Sequence, residues 1–80
     1  MKTAAFRFRK SQVRRLRELA EMGRERDDID SSLFDKAADA TASGEPLHIG
    51  FTDRSELDHM RAGFVRLGVV EPEVEDLTVR

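Results

Sequence analysis

From Lys2 to Arg9 the chain alternates, with Ala4, Phe6 and Phe8 on one side and Ala5, Arg7 and Arg9 on the other. A period of two predicts a half-buried strand. After Ser11, whose hydroxyl suits a helix cap, Val13, Leu16, Leu19 and Ala20 recur at helical spacing, while Arg14, Arg15, Arg17, Glu18 and Glu21 fill the other face. This predicts an amphipathic helix that Gly23 stops. A second helix is expected to start near Asp27 or Asp28, whose carboxylates suit the positive end of a helix dipole, with Ile29, Leu33, Phe34 and Ala37 as its apolar stripe. Gly44 and Pro46 close it.

The second half opens on Leu47, Ile49 and Phe51, alternating with His48 and Gly50, which reads as another strand. Asp53 then stands three residues before Glu56, the spacing of a capping box. Leu57, Met60, Phe64 and Leu67 follow at steps of three, four and three, defining a third helix that Gly68 ends. Gly63 interrupts that helix, at a cost of about 1 kcal/mol relative to Ala, unless another helix or a partner chain packs close there or the helix simply tolerates it. Beyond Pro72, alternation at Leu77 and Val79 suits either an edge strand or a frayed tail. The expected fold is a small α+β domain spanning residues 1–80, in the order β-α-α-β-α with a C-terminal strand left open. There is no repeat, no low-complexity tract and no linker that would divide it.

Composition limits the core. The chain has 80 residues, 39% of them hydrophobic, with five Phe and no Cys. A chain of this size buries only about 60% of the surface its unfolded form exposes, so a partner chain or another staple would help. Without cysteine that staple is neither a disulfide nor a thiolate metal site. No apolar run approaches the ~20 residues that span a bilayer, and the N-terminus has no signal-peptide apolar region. A cytoplasmic protein with no membrane association is the expectation.

The net charge of −2 is a cancellation. Residues 1–26 hold nine Lys and Arg against three Glu, a balance of +6; residues 27–80 hold five against thirteen Asp and Glu, a balance of −8. Such a split suggests that the N-terminal third meets something anionic. Solvated surface on both halves is the plain alternative.

Catalysis has little to draw on. The histidines are His48 and His59, and neither pairs with another ligand at a metal-binding spacing. His59 follows Asp58, but neighbours on a helix point about 100° apart and form no dyad. The serines fall at caps, helix starts or turns, and the glycines are too scattered for a phosphate loop. Neither an enzyme nor a bound cofactor or metal is expected.

The segment Phe6-Arg7-Phe8-Arg9, followed by Val13 to Met22 and Gly23-Arg24, resembles the ribbon-helix-helix family of small DNA-binding proteins. The resemblance covers residues 1–44 and implies a homodimer, in which two copies of the first strand pair as an antiparallel ribbon in the major groove of double-stranded DNA. It implies that Ala4, Phe6 and Phe8 enter the dimer core and that Ala5, Arg7 and Arg9 face bases. Arginine makes bidentate contacts to guanine there. Lys10, Arg14, Arg15 and Arg17 would then neutralise phosphates. Asp27, Asp28 and Asp30 run against the likeness, since they stand where that family grips a phosphate.

In length and charge split the chain is also similar to antitoxins that join such an N-terminal part to a segment holding a partner protein. Residues 45–80 would be the strand-helix extension that holds it. The alternative is a monomeric α+β protein of the interaction or inhibitor type, with three helices on one face of a small sheet. Its working surface would be the acidic set Asp53, Glu56, Asp58, Glu71, Glu73, Glu75 and Asp76.

Overall fold

The computed structural model describes residues 2–78. It contains three helices and one three-stranded antiparallel sheet. Strand β1 (Lys2–Arg7) leads through a 3-10 turn (Lys10–Gln12) into α1 (Val13–Gly23) and α2 (Ser31–Ala42), followed by β2 (Leu47–Phe51), α3 (Arg54–Arg66) and β3 (Glu73–Asp76). The order β-α-α-β-α-β supplies the open C-terminal strand, although it is formed by Glu73–Asp76. Of the two residues expected to alternate there, Leu77 follows the strand and Val79 lies outside the described residues.

The sheet order is β2-β1-β3, so the first strand is the central one. Ala4 pairs with Ile49 and Phe6 with Leu47 on one edge, while Phe6 pairs with Val74 and Arg7 with Glu73 on the other. Both edges of β1 are therefore filled from within the chain. A ribbon made of two β1 strands would need one of those partners displaced.

The period of two then sorts the side chains. Ala4, Phe6, Leu47, Ile49 and Phe51 turn toward the helices and are buried. Thr3, Ala5, Arg7, His48, Gly50, Glu73 and Glu75 share the opposite face by register, and all but Ala5 are exposed, with no helix of the described residues over them. Leu16, Leu19 and Ala20 of α1 and Phe34, Ala37 and Ala38 of α2 complete the core; the small side chains of Ala20, Ala37 and Ala38 let the two helices approach closely. Phe64 of α3 touches three other rings, with centroids 6.0 Å from Phe6, 4.9 Å from Phe8 and 5.3 Å from Phe34. Residues from both halves of the chain thus enter one core.

The helix starts differ from expectation in their caps. Ser11 lies inside the 3-10 turn, and the residue before α1 is Gln12, which makes no side-chain cap bond. Asp30, not Asp27 or Asp28, caps α2 by accepting from the Leu33 N–H at 3.2 Å. Asp53 caps α3 through the Ser55 N–H, while Glu56 is engaged by the Thr52 hydroxyl instead of closing a capping box. Gly44 (φ 77°) and Gly68 (φ 87°) end α2 and α3 in the left-handed conformation that glycine adopts freely. Gly23 ends α1 for another reason: a Cβ there would stand 2.7 Å from the Ile29 carbonyl oxygen.

Candidate nucleic-acid interface

The seven side chains expected to meet DNA divide by environment. Ala5 is the clearest departure, being 1% exposed. It is the smallest side chain in its row, between His48 on β2 and Glu75 on β3, and these neighbours stand taller on the same face. A base edge cannot reach it in this sheet.

Arg15 is occupied. Its Nε and Nη2 both donate to the carbonyl oxygen of Leu67, at 3.2 and 2.7 Å. Leu67 is the C-cap of α3, so the guanidinium serves a carbonyl at the negative end of that helix dipole. Beside it, Gln12 Oε1 accepts from the Val70 N–H at 3.1 Å, and together they fasten the start of α1 to the turn after α3. Arg17 is also engaged, through an exposed ion pair with Asp39 at 3.2 Å.

Arg7, Arg9, Lys10 and Arg14 remain. All four are exposed, and no carboxylate lies within ion-pairing distance of them among the described residues. They run from the end of β1, across the 3-10 turn, onto the first turn of α1. Here the helix carries no acidic residue in its first turn and no side-chain cap, so its positive dipole end adds to theirs. Glu71 and Glu73 border Arg7 and Arg9 on one side, and Glu71 is drawn toward Arg61 at 3.4 Å.

The acidic set is more fully engaged within the chain. Asp53 caps α3, Glu56 meets Thr52, and Asp58 and Glu71 both bind Arg61. Hydrogen bonds from Thr78 hold the Asp76 carboxyl below the usual carboxylate range, with Lys2 and Arg54 adding smaller attractions. Glu73 and Glu75 alone in that set have no hydrogen-bond or ion-pair partner among the described residues. Near α2, a side-chain hydrogen bond from Arg26 likewise lowers the Asp28 pKa, in a two-bond contact at 2.9 and 2.5 Å.

Among the described residues no group of three or more His, Asp or Glu is placed to hold a metal ion, and no helix is long and apolar enough to cross a membrane. Comparison with protein-family models, with curated proteins and with solved structures returned no match.

Proposed function

We propose that this protein is a non-enzymatic DNA-binding regulator that holds the phosphate backbone with Arg7, Arg9, Lys10 and Arg14. One observation carries the reading: among the described residues these four cations are exposed and have no ion-pair partner, whereas Arg15 and Arg17 are committed within the chain. Phosphate contacts supply affinity with little sequence information. Base reading by a ribbon is not required, which accords with a central β1 and a covered Ala5.

Titration of a fluorescent duplex over a range of salt concentrations tests this. Four phosphate contacts predict that log K falls with log salt at a slope of about −3.6. Replacing Arg7 and Arg9 with Ala is expected to reduce the slope by about 2 while the fold is kept. Absence of binding at low salt, or an unchanged slope in the variant, overturns the reading. A protein-interaction role is favoured by a separate observation, the unpaired Glu73 and Glu75 on the uncovered face of the sheet. In that case a basic protein, and not DNA, would lose affinity on replacing both with Gln.

A further inference from the structure

Gly63 stands inside α3, where glycine costs about 1 kcal/mol relative to Ala. Among the described residues nothing accounts for it, because a Cβ at this position would meet no atom within 4 Å. The space beside it is a cleft of about 220 Å³ between the start of α2 and α3. Ile29, Phe34 and Phe64 are buried along it; Leu33, Met60 and Leu67 are only partly covered. Asp28 and Asp30 stand on the rim, and no Lys or Arg lines it among the described residues. The loop of residues 26–30 holds three aspartates against Arg26 alone.

We infer that this cleft docks another protein through one bulky apolar side chain flanked by Lys or Arg. The volume suits a single large side chain, and filling it would remove Leu33, Met60 and Leu67 from water. Gly63 keeps the helix surface low enough for that side chain to enter. The flanking charge follows from the rim and its loop: Arg26 pairs with Asp28, which still leaves the loop two carboxylates in excess, so cations are attracted there and anions repelled. Charge also argues against a second copy of this chain. A two-fold interface places the same patch against itself, which would bring two sets of aspartates together.

The chain contains no Trp or Tyr, so the emission of a tryptophan on a probe reports the probe alone. The probe is a short synthetic amphipathic peptide with one Trp flanked by Lys, compared with the same peptide carrying Glu for Lys. The Lys peptide is expected to shift its emission to the blue on titration with the protein and to bind at least about tenfold more tightly than the Glu peptide. Gly63→Leu fills the cleft and is expected to weaken that binding at least about tenfold, whereas Ala62→Leu, on the exposed neighbouring surface, leaves it unchanged. Circular dichroism checks that the variants fold. If Gly63→Leu does not, the pair Leu33→Ala and Met60→Ala takes its place, with the same loss expected. No binding of the Lys peptide, equal binding of both peptides, or full binding by folded Gly63→Leu overturns the proposal. So does a dimer in sedimentation that Gly63→Leu dissolves, because the cleft would then belong to a second copy.

Discussion

Arg15 on the first turn of α1 grips the carbonyl oxygen of Leu67, 52 positions along the chain, with two donors of one guanidinium. The contact ties the beginning of one helix to the end of another and sets the turn that sends the chain back as β3. Arg15→Met removes both donors and leaves the α3 C-terminus without this partner. The expected cost is about 1–3 kcal/mol, read from urea unfolding. Arg15→Lys recovers only part of it, because an ammonium lacks the planar fork. Loss of DNA affinity with unchanged stability would show that Arg15 is free for phosphate after all.

Gly23→Ala and Gly63→Ala are expected to act in opposite directions. Helix propensity favours Ala at both by up to about 1 kcal/mol. At Gly23 the new Cβ would press on the Ile29 carbonyl oxygen and the Ser31 backbone N, so the end of α1 must shift and stability falls. At Gly63 it meets nothing within 4 Å, and stability rises by roughly 0.5–1 kcal/mol. Thermal midpoints of the two variants decide the matter.

Arg14→Ala and Arg17→Ala separate the free cation from the paired one. Arg14 is expected to contribute about one unit to the salt slope of duplex binding, and Arg17, held by Asp39, much less. Equal losses would mean that the Arg17–Asp39 pair opens on binding.

Acid stability should depend on Asp28 and Asp76. Each has a folded pKa below its ordinary value, Asp28 through its bond from Arg26 and Asp76 through bonds from Thr78. A depressed carboxyl stabilises the fold above its unfolded pKa, about 3.9, and loses that contribution as pH falls through the lower folded value. Both groups are fully exposed, so the effect is small. Denaturation midpoints followed from about pH 5 downward should decline less steeply in Asp28→Asn and Asp76→Asn than in the parent.

Phe64→Ala removes the ring that touches Phe6, Phe8 and Phe34. The expected loss is about 3–5 kcal/mol, a large fraction of the stability of a domain this small. Near-ultraviolet dichroism and proton chemical-shift dispersion should collapse together. A well-dispersed spectrum at ambient temperature would show that the remaining rings repack.

Helices and strands were legible where a period was sustained. Leu57, Met60 and Phe64 mark one face of α3, with Leu67 at its C-cap, and Leu47, Ile49 and Phe51 mark one face of β2. Caps were less so, because Asp27, Asp28 and Asp30 are chemically equal candidates and the path of the chain after Gly23 selects Asp30. The candidate interface was legible as a run of cations. Its division was not, since a sequence does not show that Leu67 lies beside Arg15 or Asp39 beside Arg17. Gly63 was the one visible sign of the cleft.

Local sequence determined the type and order of the first five main elements, the faces of β1 and the charge split, because these depend on residues a few positions apart. Tertiary structure decided that β1 lies between β2 and β3, that Ala5 is covered and that Arg15 caps α3. Each of these depends on strand pairing or hydrogen bonding between residues tens of positions apart. Such contacts depend on how the whole chain closes on itself, which no local period encodes.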